Sequence, residues 1–251
     1  MCYIQPFLLI LPIINPAMAV ILNIETSSGP CSVALTAEGM VLSHSEEFAG
    51  RNHATTLSAF IEKCLAHTRE HEIDIDAVSV SMGPGSYTGL RIGLSQAKGL
   101  AYALGKPLIG VHTLRLLAVT VMFDARIDIE PDAVFIPMVD ARRMEVYTGA
   151  YDLALNELIK PCALILDKDS FAGLRASGRP IYFFGDGAAK ARDIFAGCPQ
   201  AHYIEGIEPL ATNMIALSDK AWQEKDFIDT AYSVPVYLKD FQATTPKHKV
   251  L

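Results

Sequence analysis

The sequence predicts an α/β protein that is built from two lobes. Strand-like and helix-like segments alternate through most of the chain, which is the pattern of α/β folds. In the first half, three strands are followed by a helix, a strand, a helix and a strand, and the second half repeats this series more loosely. The length of 251 residues fits one large or two small domains and is sufficient to bury a core without disulfides or metal ions.

The first predicted lobe covers residues 18–111. Short apolar runs bounded by turn residues predict its strands at 19–24, 31–36, 41–48, 77–82 and 108–111. Helices are predicted at 53–70 and 86–104. In the first helix, apolar residues recur on one face, namely Leu57, Phe60, Ile61, Cys64 and Leu65.

The second predicted lobe covers residues 112–240, and a hinge is expected near 111–113. Its strands are predicted at 133–139, 144–151, 163–166 and 181–184, and its helices at 168–176, 188–196 and 210–224. The last helix is able to pack back on the first lobe. The tail is polar from Tyr237 onward, so we expect fraying there and a flexible segment at 241–251.

Residues 1–17 differ from the rest of the chain. The apolar run at 7–11 is too short to span a bilayer and lies between prolines. A signal peptide is an alternative, because 17–19 resembles a cleavage site, but the first basic residue is Arg51. We expect Met18 to be the natural start and 1–17 to be a dispensable non-native or disordered extension, and a structured arm is the third alternative.

Composition excludes several classes of protein. Hydrophobic residues make up 51% and charged residues 20%, which is not the composition of a disordered chain. The net charge of −7 argues against binding nucleic acid through the overall charge, although a local patch remains possible. The cysteines lack CxxC spacing, which predicts reduced thiols in a cytoplasmic protein; they are Cys2, Cys31, Cys64, Cys162 and Cys198.

A glycine-rich segment at 83–93, GPGSYTGLRIG, follows a strand and opens a helix. Backbone N–H groups at a helix N-terminus suit a phosphate, but the spacing matches neither GxxxxGK[ST] nor GxGxxG. A tight packing turn explains the glycines equally well. Both interpretations stay open on the sequence alone.

Small residues recur every four positions along the following helix, at Gly89, Gly93, Ala97, Ala101 and Gly105. Such a stripe allows another helix or the chain's own sheet to approach closely. Between Asp76 and Asp124 there is no acidic residue, whereas four basic residues occur there: Arg91, Lys98, Lys106 and Arg115. This basic island fits either an anionic partner or a solvated helix edge.

Other polar residues give weaker signals. His67 and His71 have the i, i+4 spacing of metal ligands, but they lie at the end of a predicted helix, where they complement the helix dipole. Asp140 and Arg142, at a predicted turn, form either an ion pair or part of a cleft. No Ser-His-Asp order, GxSxG or Cys-His signature is evident.

Four segments together resemble the TsaB (YeaZ) family of bacterial proteins of tRNA threonylcarbamoyladenosine synthesis. They are ILNIETSSGPCSVAL, SMGPGSYTGLRIGLSQAKGLAYALGKPLIGVHTL, VDARRMEVY and PVYLKDF, and the resemblance runs from about Met18 to Phe241. It implies two RNase H-like lobes of the actin/Hsp70/sugar-kinase (ASKHA) type. It also implies pairing with the catalytic paralogue TsaD, which acts with the ATPase TsaE and transfers a threonylcarbamoyl group to adenosine 37 of tRNA.

Within the resemblance, this chain is expected to be a non-catalytic scaffold with no activity alone, no metal and no tightly bound cofactor. ATP or ADP at the complex, tRNA contact within the complex only, absence from membranes and a homodimer of the isolated chain are further expectations. The helices at 53–70 and 86–104 would form half of a four-helix contact with the partner. The expected interface residues are His53, Leu57, Phe60, Ile61, Cys64, Tyr87, Thr88, Gly89, Leu90, Arg91, Gly93, Leu94 and Ala97.

The resemblance also implies a cleft between the lobes. Its expected residues are Glu25, Thr26, Ser27, Gly83, Gly85, Ser86, Asp140, Arg142, Gly185 and Gly187. In the paralogue, a strand ending in Gly-Val-His is followed by two metal-binding histidines, and the matching positions here are Thr113 and Leu117. Many relatives carry Asp where this chain has Glu25, which weakens a nucleotide-metal role. The alternative is an ATP-dependent phosphotransferase of the same superfold, and a peptidase is less well supported.

Overall fold

The computed structural model describes residues 19–49 and 53–239, which form two five-stranded sheets. The first sheet has the order β3-β2-β1-β4-β5. Strands β1 to β3 are antiparallel, and β4 and β5 run parallel to β1. The strands are β1 Ile21–Glu25, β2 Cys31–Ala37, β3 Met40–Glu47, β4 Ala77–Gly83 and β5 Leu108–His112.

The second sheet repeats this topology with the order β10-β9-β6-β7-β8. Its first three strands are again antiparallel, and the last two run parallel to β6. The strands are β6 Val134–Asp140, β7 Glu145–Tyr151, β8 Glu157–Ile165, β9 Ile181–Phe184 and β10 Ala201–Ile204. The predicted class of two RNase H-like α/β lobes is therefore confirmed.

Helices cover both faces of the first sheet. The helices are α1 His53–Glu70, α2 Tyr87–Leu104, α3 Thr113–Met122, α4 Ala172–Ala176, α5 Ala189–Ile194 and α6 Ile215–Glu224, with a 3₁₀ turn at Ala211–Met214. Helices α1 and α2 share an apolar core with one face of the first sheet, while α3, the 3₁₀ turn and α6 contact the other face. Helix α3 also contacts β6 and β7, so it is packed between the two sheets.

Three elements differ most from the sequence prediction, and the helix predicted at 168–176 covers only 172–176. Helix α3 was not predicted, because most of its residues are buried between the sheets and no polar face marks a helical period. Strand β10 was also missed, since it is a short and only partly buried edge strand. Strand β8 begins at Glu157 rather than at 163, and Pro161 within it is tolerated because β8 is an edge strand.

After α6 the chain returns along the first sheet as a segment that we call the C-terminal strap, residues 228–239. The Ile228 N–H donates to the Leu108 carbonyl at 2.8 Å, and the Val236 N–H donates to the Met82 carbonyl at 2.7 Å. Tyr237 contacts α2 through Arg91. The predicted fraying from Tyr237 is therefore wrong over the part of the strap that the structure describes.

The remaining expectations concern termini and thiols. The extension at 1–17 and the tail at 241–251 lie outside the described residues. Among the described residues, Cys31, Cys64, Cys162 and Cys198 form no disulfide. Within 19–49 and 53–239, no helix is both long and apolar enough to cross a membrane.

Candidate functional site

The turn after β1, residues 25–28, is the first part of the expected cleft. The side chain of Glu25 is fully buried at the end of β1. The Ser27 N–H donates to Glu25 Oε1 at 2.5 Å, whereas Oε2 has no hydrogen-bond partner among the described residues. Burial raises the pKa of Glu25 to about 7. The carboxyl of Glu25 therefore lies in the interior rather than in an open cleft.

The glycine-rich segment packs directly on this turn. The Ser86 N–H donates to the Ser27 carbonyl at 2.7 Å. A Cβ built on Gly85 would lie 2.1 Å from that same carbonyl oxygen, which is well inside van der Waals contact. The Ser86 hydroxyl accepts from the Gly89 N–H at 3.2 Å and caps α2. The segment is thus a close packing turn, and phosphate binding there stays a prediction.

The stripe of small residues on α2 faces this chain rather than a partner. A Cβ built on Gly89 would lie 2.1 Å from the Thr26 carbonyl oxygen, and one on Gly93 would lie 2.2 Å from Thr26 Oγ1. Ala97 is fully buried, and Gly105 ends the helix in a left-handed conformation with φ 64°. Of the two interpretations of the stripe, close approach to the chain's own sheet and turn is correct, and the partner-facing one is wrong.

Most of the residues expected at the partner interface are buried within the first lobe. The buried ones are Leu57, Ile61, Cys64, Gly89, Leu90, Gly93, Leu94 and Ala97. Through these residues, α1 and α2 pack within the first lobe, so their side chains are not available to a partner. His53 and Phe60 are partly buried, and Tyr87, Thr88 and Arg91 are exposed.

The outward face of the helix pair carries a different set of small residues. Ala54, Ser58, Ser95 and Gly99 are exposed, and nothing lies within 4 Å of a Cβ built on Gly99. The Gln96 side chain joins the two helices by donating to Ser58 Oγ at 3.1 Å. The sequence left the stripe ambiguous because burial against a sheet and burial against a partner require the same residue types.

In the second lobe, the carboxylate of Asp140 forms no ion pair with the guanidinium of Arg142. The Asp140 carboxylate forms an ion pair with Lys190 Nζ at 3.0 Å and accepts the Arg142 backbone N–H at 2.5 Å. The Asp140 N–H donates to Asp186 Oδ1 at 2.8 Å. Burial raises the pKa of Asp186 above its usual value. The predicted Asp140–Arg142 ion pair is therefore wrong, and sequence reasoning missed Lys190 and Asp186.

The short loop after β9 contains two of the expected cleft residues. Gly185 adopts φ 93°, and its Cβ would lie 2.5 Å from the Met138 carbonyl oxygen, which explains the glycine. The Gly187 N–H donates to the same oxygen at 3.0 Å. These contacts fix the loop on β6. The role of this loop in the expected cleft stays a prediction.

The join between the lobes carries no apparent metal site. The side chains of Thr113 and Leu117 are buried in α3, and Thr113 Oγ1 has no hydrogen-bond partner among the described residues. No group of three or more His, Cys, Asp or Glu that could hold a metal ion occurs in residues 19–49 and 53–239. His67 and His71 lie at the end of α1, where His71 Nδ1 is 2.9 Å from the His67 carbonyl oxygen.

Two RNase H-like lobes joined by a helix that contacts both define a protein of the actin, Hsp70 and sugar-kinase class. A family model described as "TsaD: tRNA N6-adenosine threonylcarbamoyltransferase" matches residues 45–246. The Bacillus subtilis tRNA threonylcarbamoyladenosine biosynthesis protein TsaB is 33% identical over 168 residues, which cover 66% of this chain and 70% of that protein. This chain belongs to the TsaB (YeaZ) family, which acts in the synthesis of tRNA threonylcarbamoyladenosine.

Two further relatives are informative. The solved structure described as YeaZ from Pseudomonas aeruginosa has a TM-score of 0.71 and 26% identity, and the match covers 88% of this chain and 100% of that chain. The tRNA N6-adenosine threonylcarbamoyltransferase of Moorella thermoacetica is 47% identical over 68 residues, which are 27% of this chain and 20% of that protein. The pairwise match to this transferase therefore covers one short region, whereas the match to YeaZ spans most of the fold.

Proposed function

We propose that this chain is a non-catalytic scaffold subunit that pairs with a TsaD-type transferase and a TsaE-type ATPase in threonylcarbamoyladenosine synthesis. The observation that carries the proposal is the pair Thr113 and Leu117, which stand where the resemblance implies metal-binding histidines in the catalytic paralogue. A buried hydroxyl and an isobutyl group cannot replace two imidazole ligands. The chemistry would then belong to the partner, and tRNA would bind only to the complex.

The outward face of α1 and α2 is the surface that we assign to the transferase-type partner. Its small exposed residues, Ala54, Ser58, Ser95 and Gly99, allow a second helix pair to approach closely. Gly99→Leu should weaken pairing about 5- to 150-fold, since overpacking a close contact costs about 1–3 kcal/mol. It should not lower the thermal stability of the isolated chain, because the added side chain meets open space and leucine has a better helix propensity than glycine.

Reconstitution tests the scaffold role directly. The chain, the TsaD-type paralogue and the TsaE-type ATPase of the same genome are mixed with a tRNA transcript, threonylcarbamoyl adenylate and ATP. We expect modification only when this chain and the paralogue are both present, and none by this chain alone. Modification by the paralogue at the same rate without this chain would contradict the proposal, as would turnover of ATP by this chain alone.

The phosphotransferase alternative receives no support from the first lobe. A kinase needs a carboxylate that orients the nucleotide metal in an accessible cleft. Glu25, which was the candidate in this lobe, is fully buried and hydrogen-bonded to its own turn. Nucleotide binding at the complex remains part of the proposal, with the Asp140 and Gly185 loops of the second lobe as its candidate contacts.

A further inference from the structure

The C-terminal strap is anchored to both lobes. Lys98 Nζ, on α2, donates to the carbonyls of Ala231 at 2.8 Å and Ser233 at 3.1 Å. At the other end of the strap, Lys239 Nζ forms an ion pair at 2.7 Å with Glu145 Oε2 in the second lobe. Because side chains and backbone hold the strap along its length, Tyr237 between these anchors has a defined position.

Tyr237 lies against an arginine on α2. Arg91 Nε donates to Tyr237 Oη at 3.0 Å, and the guanidinium carbon lies 4.1 Å from the centroid of the Tyr87 ring. The two tyrosine rings are 5.4 Å apart, so the three side chains form one group, which we call the Arg91 cluster. The bond to Tyr237 comes from Nε, and the two terminal amino groups of Arg91 donate no hydrogen bond to any described residue.

Arg91 differs from the other cations of the basic island. Lys106 pairs with a carboxylate at 3.9 Å and Arg115 with another at 3.4 Å, while Lys98 is occupied by the strap carbonyls. No carboxylate within 19–49 and 53–239 pairs with Arg91, whose side chain is exposed. Arg91 is therefore the one cation of the basic island whose guanidinium is stacked on Tyr87, is positioned by Tyr237 and keeps donors that make no hydrogen bond to the described residues.

We propose that the Arg91 cluster is a carboxylate-binding contact for an acidic side chain on the transferase-type partner, and that the strap builds it by positioning Arg91 through Tyr237. This inference rests on the proposed function and names the chemistry of its interface. A guanidinium presents paired donors that match a carboxylate, and Arg and Tyr are enriched among residues that dominate interface affinity.

A protein carboxylate fits better here than an RNA phosphate. Binding to nucleic acid requires several neutralised phosphates, whereas the described residues of the island leave only Arg91 unoccupied and the chain carries a net charge of −7. The cluster lies at the start of α2, whose outward face we assign to the same partner. The contact would therefore extend one interface rather than create a second one.

The experiment compares charge reversal at Arg91 with the same change elsewhere. Arg91→Glu and the control Arg192→Glu both replace an exposed arginine, and Arg192 lies on α5 of the second lobe, outside the proposed surface and the candidate nucleotide loops. Affinity for the purified paralogue is measured by calorimetry at low and high salt, together with the melting temperature. We expect Arg91→Glu to weaken pairing by about tenfold or more and to reduce its salt dependence, with the control unchanged.

Tyr237→Phe tests the positioning role, because it removes the acceptor of Arg91 and keeps the ring. It should weaken pairing less than Arg91→Glu does, and it should have no further effect when combined with Arg91→Glu. If Arg91→Glu does not fold, Arg91→Lys takes its place in the comparison with the control. Lysine keeps the positive charge but lacks the planar pair of donors of arginine.

The outcomes separate this inference from the proposed function. No binding by the unaltered chain would overturn the proposed function itself. Normal binding by the unaltered chain, with Arg91→Glu equal to the control, would overturn only the carboxylate contact. Unchanged pairing with a weaker affinity of the complex for tRNA would overturn it in favour of a phosphate contact.

Discussion

Two glycines on α2 have opposite surroundings, and replacing each by alanine tests the packing directly. A Cβ at Gly93 would lie 2.2 Å from Thr26 Oγ1, and that hydroxyl donates to the Gly89 carbonyl at 2.9 Å inside the first lobe. The added methyl group must displace Thr26 and break this buried hydrogen bond. At Gly99 the same methyl group meets nothing within 4 Å.

The expected changes in the free energy of unfolding have opposite signs for the two variants. At Gly93, overpacking costs about 1–3 kcal/mol and the lost hydrogen bond costs a further ~1–3 kcal/mol. The better helix propensity of alanine returns only ~1 kcal/mol. Gly93→Ala should therefore lower the free energy of unfolding by about 1–5 kcal/mol. Gly99→Ala gains only the better helix propensity of alanine and should raise the free energy of unfolding by ~1 kcal/mol.

Thermal and urea unfolding of both variants provide the measurement. A chain of this size changes its melting temperature by about 2–4 °C per kcal/mol. Gly99→Ala should therefore melt a few degrees higher than the parent, and Gly93→Ala should melt several degrees lower. Equal stabilisation in both variants would refute the conclusion that the Gly93 side of α2 packs on the Thr26 turn.

Three other expectations follow from buried groups. The pKa of Glu25 is about 7 in the folded chain and 4.5 when exposed, so the contribution of Glu25 to stability is fully present below pH 4.5 and falls by about 3 kcal/mol as the pH rises through 7. Glu25→Gln should remove this loss, and an unchanged pH profile of urea unfolding in the variant would contradict the argument. Burial raises the pKa of Cys31 to about 11, so this thiol should react with Ellman's reagent at pH 8 only after denaturation, and mass spectrometry of labelled peptides locates the reaction. Because Thr113 and Leu117 replace metal ligands, elemental analysis of tag-free protein should detect no stoichiometric zinc or iron, and one tightly held equivalent would contradict this.

Periodicity located the elements of the first lobe well. The predicted helix at 53–70 coincides with α1, and the predicted strand at 31–36 lies within β2. In α1, the buried apolar residues meet a single core, so the local pattern reports the tertiary environment. Helix α3 was missed because it meets two cores, and apolar residues on most of its sides leave no period to detect.

The site was harder to predict because its polar partners come from distant parts of the chain. Asp140 could be paired with the nearby Arg142 from the sequence, but the structure pairs it with Lys190, which is on α5. The motif PVYLKDF was quoted for its resemblance, yet nothing local indicates that Tyr237 reaches Arg91, 146 positions earlier. Sequence spacing predicts residue types at a site, and the chain topology decides which of them meet.

The placement of the 3₁₀ turn and α6 on the first sheet has a consequence for synthesis on the ribosome. One face of that sheet is apolar; α3 covers part of it through Leu116, and the 3₁₀ turn and α6 cover another part, where Ala211 and Met214 are fully buried. All five strands of the sheet have been translated once His112 is added, whereas the 3₁₀ turn and α6 are translated about 100 residues later. At about 5–20 residues per second, the uncovered face persists for roughly 5–20 s. Nascent chains arrested after His112 but before the 3₁₀ turn should bind ribosome-associated chaperones and be cleaved readily by protease. Chains arrested after α6 has left the exit tunnel should resist both.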